Sequence, residues 1–349
     1  MTKKRLSINI VGKVPPPIGG VTIHTLRLYE WLQKNDEIDV KLTALNQHKI
    51  DDENIKYVGN YPLWIIKKIF FGFKENIVHY QGANYFGLII LYIINIIHPS
   101  FKLILSIHGE GYMKRLLNKN ILRKVIFNIL NKLDGIICDE KHLKEQLKEN
   151  GIKNNNMYIV DPFLMPNADK KKEYPQYVKD IFNTKDFLIS ANAFNVDKLN
   201  EDSDLYGLNI LSALANKLNE NNIKFKMIIL IACINDKEYI NKLFKNNNNI
   251  YIVSDNDING WQIISDSNLM IRSTSTDGNA LSIYEALSFN VPVIASDVVP
   301  RDKNVILFEY PNIDNLYEKV INIVSRKVQL NIKLDNNIKL FQEVYRKII

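Results

Sequence analysis

Two cysteines in 349 residues, Cys138 and Cys233, set the first limits on this chain. Each lies in an apolar run without a second cysteine nearby. That argues against a disulfide or a cysteine-built metal site and for two buried, reduced thiols, and a cytoplasmic location is the expectation that follows. An apolar run long enough to span a bilayer is also missing. F-G-L-I-I-L-Y-I-I-N-I-I, starting at Phe86, is too short and is followed by His98 and Pro99, so it reads as a buried helix. The opening M-T-K-K-R-L-S-I-N-I-V-G has a basic start but only a short apolar run and no small-residue cleavage site, so it is expected to be the first strand and not a signal peptide. The dinucleotide fingerprint G-x-G-x-x-G is absent, and no acidic residue at the end of the strand Val40–Leu45 offers itself to a ribose. Acids are the minority charge, 38 against 45 Lys and Arg, for a net charge of +7. This surplus suggests an anionic partner, which charge alone does not choose; without a recognisable reading motif, nucleic acid is not expected to be it.

What is present is a repeated alternation. The length sets a prior of about two domains. Apolar strand-like runs (Leu6–Val11, Ile77–Tyr80, Lys102–Ile107, Gly135–Cys138, Met157–Val160) alternate with helical periodicity, which predicts a parallel sheet covered by helices. From Asp161 to Asp180 the pattern lapses into a segment rich in proline and charge, the best candidate linker. The alternation then restarts at Phe187–Ala191 and continues through Phe225–Ala232 and Ile250–Val253. The reading is α/β, with two similar halves.

The richest stretch runs from Arg272 to Glu285, R-S-T-S-T-D-G-N-A-L-S-I-Y-E. A strand over Asn268–Ile271, a polar turn over Ser273–Gly278 and a helix over Ala280–Phe289 are expected. The first amide groups of such a helix lack partners within it and favour a phosphate. Asp277 and Glu285 stand eight positions apart, just over two turns, so if the helix begins near Asp277 both carboxylates lie roughly on its ligand-facing side, where paired sugar or ribose hydroxyls would meet them. An N-cap aspartate followed by a solvated glutamate is the plainer alternative.

Elsewhere, Gly19-Gly20 follows the first strand in G-K-V-P-P-P-I-G-G and permits close approach of a ligand to the backbone. His108 ends a strand in L-S-I-H-G-E-G, at the edge where open α/β sheets bind ligands; bonding to loop backbone is its other reading. His24, His79, His98 and His142 lack a comparable constellation. Tyr61–Phe73 and Tyr112–Leu133 are basic, amphipathic and aromatic at their edges. That pattern suits either an anionic lipid surface or ordinary packing of one face on a core. Asp202-Ser203-Asp204 has the form of a divalent-metal triplet, but it sits in a polar loop, and no metal site is expected.

Together, P-P-P-I-G-G-V-T-I-H, S-I-H-G and T-D-G-N-A-L-S-I-Y-E-A-L-S-F-N-V-P-V-I-A-S-D resemble the retaining nucleotide-sugar glycosyltransferases of family 4, over nearly the whole length. The resemblance implies a GT-B fold, two Rossmann-like domains facing each other across a cleft. An acceptor-side domain would span 1–163, a donor domain 164–335, and a final helix over 336–349 would cross back to the first domain. It implies a metal-independent hexosyltransferase with no cofactor beyond its nucleotide-diphosphate sugar. The acceptor would be a saccharide, often lipid-linked in bacterial surface polysaccharide synthesis, and residues 112–133 would face an anionic membrane from the cytoplasmic side. Gly19, Gly20 and the backbone of Gly278, Asn279, Ala280 and Leu281 would hold the diphosphate. Asp277 would hold sugar hydroxyls, Glu285 the ribose, and His108 would lie near the reacting centre.

The chain departs from the family where a basic phosphate-binding pair is usual: Asn192-Ala193 and Tyr206-Gly207 stand there. Arg272 or Lys198 is expected to supply the missing charge. A sugar-nucleotide epimerase of the same fold, or a non-catalytic partner subunit, are the rival readings.

Overall fold

Parallel strands buried on both faces need near-continuous apolar sequence, and the strands of this chain have it. The computed structural model describes residues 5–46, 52–82, 84–109, 111, 113, 115, 122–255, 258–278, 280–326 and 330–349. The chain divides into two units, one of Met1–Leu164 with Asn336–Ile349, the other of Met165–Asp335.

In the first unit the described elements are β1 (Leu6–Gly12), α1 (Gly20–Gln33), β2 (Ile38–Ala44), β3 (Ile55–Tyr57), α2 (Tyr61–Phe71), β4 (Ile77–Tyr80), α3 (Tyr85–Ile97), β5 (Lys102–Ile107), α4 (Arg123–Lys132), β6 (Gly135–Cys138), α5 (Lys141–Glu149) and β7 (Met157–Ile159). The strand order is β3-β2-β1-β4-β5-β6-β7, and the pairings are parallel. Along β5, Leu103, Leu105 and Ile107 join one core layer while Ile104 joins the other, the two-residue period of a strand with helices on both faces. A last helix, Ile338–Ile348, returns to this unit and sets Phe341, Val344 and Tyr345 into the same layer as Ile104.

The second unit contains α6 (Gln176–Phe182), β8 (Phe187–Ala193), α7 (Leu208–Glu220), β9 (Phe225–Ile231), α8 (Lys237–Phe244), β10 (Ile250–Val253), α9 (Gly260–Ser265), β11 (Leu269–Arg272), α10 (Leu281–Ser288), β12 (Val293–Ser296), β13 (Ile306–Phe308) and α11 (Ile313–Arg326); the returning helix Ile338–Ile348 is therefore α12. Its sheet runs β10-β9-β8-β11-β12-β13, again parallel. In both sheets the strand order reverses beside the first strand of the unit, between β1 and β4 and between β8 and β11. Loops leaving the carboxyl ends of such a pair diverge to opposite faces and open a crevice, the usual ligand site of an open α/β sheet.

Three local expectations need correction. α3 buries Leu88, Leu91 and Ile94 but exposes Phe86, Ile93, Ile96 and Ile97, so it is not buried all round. Cys233 is exposed, because β9 stops at Ile231 and leaves it in the following loop; Cys138 is buried, and burial beside Asp139 pushes its thiol up to about 12. The linker segment ends inside α6, which begins at Gln176 and buries Val178 and Ile181 against Ile228 and Val253.

Candidate functional site

At the crevice of the second unit, β11 ends on Arg272 and β8 ends on Asn192-Ala193, side by side. The polar turn after β11 folds back on its own strand. Arg272 Nε and Nη2 donate to the two oxygens of Asp277, each at 3.0 Å, a two-pronged pairing that fixes both groups. The third nitrogen, Nη1, donates to the backbone and side-chain oxygens of Asn192 at 3.0 and 3.1 Å, and Ser282 Oγ donates to the same Asn192 oxygen at 3.1 Å. The Tyr206 ring lies beneath the guanidinium, 5.4 Å from ring centre to Cζ. Behind Tyr206, Gly207 is left-handed, with φ of 69°, and a Cβ there would stand 2.0 Å from the Ser273 carbonyl oxygen, so only glycine lets α7 start this close to β11.

A second cation meets the same carboxylate. Arg301, in the loop after β12, donates from Nη1 to Asp277 Oδ2 at 3.0 Å. The side chains of Arg272 and Asp277 are each 9% exposed and that of Arg301 4%. Burial alone would raise the Asp277 carboxyl, but the two guanidiniums outweigh it and hold the group below the usual carboxylate range. Two positive charges against one negative leave the cluster with a surplus. Arg301 Nε and Nη2 are buried with no hydrogen-bond partner among the described residues. Buried donors of this kind find a water or a ligand, because leaving them bare costs about 1–3 kcal/mol each.

Ala280 caps α10 without a side-chain acceptor, so the first-turn amides around Leu281 are left for water or an anion. Glu285 is buried on this helix, about one turn in from Leu281, and Asp277 lies in the turn before the helix, so the two do not share a two-turn helical face. Gly278 donates its amide to Asp277 Oδ1 at 3.1 Å. Asn279 lies outside the described residues. Lys198 points elsewhere: its ammonium pairs with Asp236 at 2.7 Å over the Tyr239 ring. Asp204 of the acidic triplet is fully buried and accepts from the Leu208 and Asn209 amides at 3.0 and 3.1 Å, which makes it the anchor of α7.

The crevice of the first unit has a different composition. Gly19 is the N-cap of α1, its amide donating to Thr22 Oγ1 at 3.0 Å, and a Cβ on Gly20 would meet nothing within 4 Å. His108 follows β5 with both ring nitrogens engaged, Nε2 at 2.6 Å from Gln81 Oε1 and Nδ1 at 3.0 Å from Asp139 Oδ2. The Gln81 amide nitrogen stands 3.0 Å from His79 Nε2. His79 is wedged between the Tyr345 hydroxyl of α12 at 2.7 Å and the Ser106 hydroxyl at 2.8 Å. His24, on α1, lies edge-on to the His108 ring at 5.1 Å between centres and bonds the Pro162 carbonyl at 2.8 Å. Burial, then the neighbouring His108, lowers both: His79 to about 3, His24 well below the ordinary imidazole value. His24 and His79 therefore share a constellation with His108, contrary to expectation. Their partners come from Ser106, Pro162 and Tyr345, too far along the chain for local reading. Only part of 112–133 is described. Helix α4 buries Ile126, Ile129 and Leu130 against the core, while 112, 114 and 116–121 lie outside the described residues.

Sequence reasoning missed Arg301 altogether. It stands in V-V-P-R just beyond V-P-V-I-A-S-D. The signal that finds it is a cation in the loop leaving the strand next to the crevice.

No family model and no curated protein sequence matches the chain. Solved structures do. HepE of Anabaena, in complex with UDP and glucose, matches with a TM-score of 0.68 over 99% of this chain and 95% of that one, at 11% identity. Sucrose-phosphate synthase from Thermosynechococcus elongatus gives 0.62 over 99% and 95%, at 13% identity. UDP-GlcNAc 2-epimerase from Neisseria meningitidis, bound to UDP-GlcNAc, gives 0.60 over 98% and 100%, at 12% identity. At these identities the likeness shows the fold, which is α/β with two Rossmann-like domains of the GT-B class.

Proposed function

We propose that this chain is a glycosyltransferase that takes a hexose from a nucleotide-diphosphate sugar and passes it to a saccharide acceptor, with the donor held by the second unit. One observation carries the reading: Asp277 is shared by two buried arginines at the β8/β11 crevice, and Arg301 keeps two unpartnered donors beside an uncapped helix start. A diphosphate gains negative charge as its bond to the sugar breaks. Fixed guanidiniums and amides that face it stabilise that charge without having to reorganise. Arg301 and Arg272 thus stand in for the missing basic pair, with the backbone of Gly278, Ala280 and Leu281 opposite. In this geometry Asp277 is a positioning residue, since its oxygens already accept from Arg272, Arg301 and Gly278; a donor hydroxyl reaches it by displacing one of these.

The finer assignments belong to the same proposal. Glu285 binds the ribose, transfer retains the anomeric configuration without a metal, and the acceptor is lipid-linked on the cytoplasmic side. For the acceptor we assign the first unit, with Gly19-Gly20 at a phosphate and His108 as the group nearest the acceptor. His108 would have to exchange Gln81 or Asp139 for that contact.

Thermal-shift screening of UDP- and GDP-sugars tests the reading. A donor at about a hundred times its dissociation constant stabilises the protein by roughly 2.7 kcal/mol. Failure of every nucleotide sugar to bind would sink it. The 2-epimerase among the similar structures keeps a second reading open, and one assay separates the two. A transferase releases nucleoside diphosphate only with acceptor present, whereas an epimerase converts the donor alone.

A further inference from the structure

Lys41, Lys56, Lys67 and Lys68 line a single cavity of about 330 Å³ in the first unit, walled on its apolar side by Trp64 and Phe71. Glu75, the acid in this wall, is committed to Lys41 at 3.1 Å. Burial, outweighing the pull of Glu75, and then the charges of Lys56, Lys41 and Lys74 lower the Lys68 ammonium from its ordinary value. The surplus extends along the sequence: residues 55–74 contain Lys56, Lys67, Lys68 and Lys74 and no acid.

Over this cavity lies α2, Y-P-L-W-I-I-K-K-I-F-F, and none of its residues is buried. Leu63, Ile66 and Phe70, at i, i+3 and i+7, share one outward face at 48, 51 and 72% exposure, and Phe71 beside them reaches 79%. On α3, Phe86, Ile93 and Ile97, at i, i+7 and i+11, form a second exposed stripe. The two helices are in contact, and His98 at the end of α3 donates from Nε2 to the Ile69 carbonyl of α2 at 2.7 Å, so the stripes are held side by side. Contiguous apolar surface of this kind marks an interaction site. Its basic border decides the partner: an uncharged groove would match the apolar stripes and leave the lysines unanswered.

We propose that α2 and α3 form a docking surface for an anionic lipid bilayer, with Phe70 and Phe71 entering the headgroup region and the exposed Lys56, Lys67 and Lys74 meeting lipid phosphates. No helix among the described residues is long and apolar enough to cross a membrane, so the contact is an in-plane one. The inference moves the membrane contact from 112–133 to 61–97 and stands whatever the second unit binds.

The test is sedimentation of the full chain with phosphatidylglycerol-containing vesicles and with phosphatidylcholine alone. The wild type should bind the anionic vesicles at low salt and lose that binding as salt rises. Phe70→Ser with Phe71→Ser should weaken it about tenfold or more, as expected for removing two exposed rings from the interface. Lys67→Glu with Lys74→Glu should weaken it comparably, while Lys237→Glu with Lys245→Glu, exposed lysines of the second unit, should leave it unchanged. These side chains are exposed, and an unaltered circular dichroism spectrum and thermal unfolding midpoint will show that the variants are folded. Equal partition onto neutral and anionic vesicles, or wild-type binding by the phenylalanine variant, overturns the proposal. So does light scattering that shows a dimer lost in the phenylalanine variant while vesicles go unbound, which would give the surface to a second copy of the chain.

Discussion

Each unit buries polar groups at the carboxyl ends of its central strands, and the two do it with opposite chemistry. The first unit strings together His79, Gln81, Ser106, His108 and Tyr345, side chains that both donate and accept, and only Asp139 at its outer end is an acid. The second unit packs two guanidiniums around one carboxylate. Groups that both donate and accept can close a network among themselves, and it rigidifies the crevice it lines. A cluster with surplus charge cannot, and it stays ready for an anion. The same topological position is thus held by shared hydrogen bonds in one unit and by surplus charge in the other, although each keeps a buried group without a partner among the described residues, His24 Nε2 in the first and Arg301 Nε and Nη2 in the second.

Asp277→Ala attacks that contrast most directly. It leaves Arg272 and Arg301 buried without their shared counter-charge, a loss of about 3–5 kcal/mol. Urea unfolding should show that loss, added phosphate or sulfate should restore part of it, and sugar transfer should disappear. Wild-type stability in the variant would mean that the cluster is solvated and not poised.

Acid should separate the units next. Unfolded histidines titrate near 6.5, while His79 is held to about 3 and His24 well below the ordinary value, both neutral when folded. Between those limits the unfolded chain binds more protons, so stability falls as pH drops, by up to about 1.4 kcal/mol per pH unit for each histidine. Asp277 behaves differently. Its lowered carboxyl contributes stability above its unfolded value, near 4, and loses it only as pH falls through the still lower folded value. The first unit should therefore unfold first on acidification from pH 6.5. Trp31 and Trp64 report on it once Trp261 is replaced by Phe, and His79→Gln should flatten the slope.

The smallest effect sharpens the comparison on the ligand side. Arg301→Leu leaves the two-pronged Arg272–Asp277 pairing in place. It should weaken nucleotide-sugar binding about tenfold or more, the worth of a charge-assisted hydrogen bond, measured by calorimetry. Unchanged affinity would take the diphosphate away from Arg301.

The strands were legible in the sequence because a parallel sheet writes itself as short apolar runs, and Ile77–Tyr80, Lys102–Ile107 and Gly135–Cys138 have the expected bounds. The outward stripe of α3 was not, since inside a run of almost unbroken Ile and Leu no period marks which side faces water. At the site, Arg272 and Asp277 were both recognisable, as a strand-end cation and a turn acid. Their pairing was not, because it depends on the turn folding back so that residues five apart meet. Arg301 and Asn192 arrive from neighbouring strands, a proximity that only the sheet order reveals.

Helix α12 has a consequence for how the protein is made. Its Phe341, Val344 and Tyr345 complete a core whose other members lie before residue 165. The second unit is one continuous stretch, whereas the first is closed by residues that follow it. Units that usually fold in the order of their synthesis are therefore inverted here. While the ribosome works through residues 165–335, the first unit waits with His79 lacking its tyrosine and one apolar layer covered by α1 but not by α12, and it needs protection for as long as that synthesis lasts.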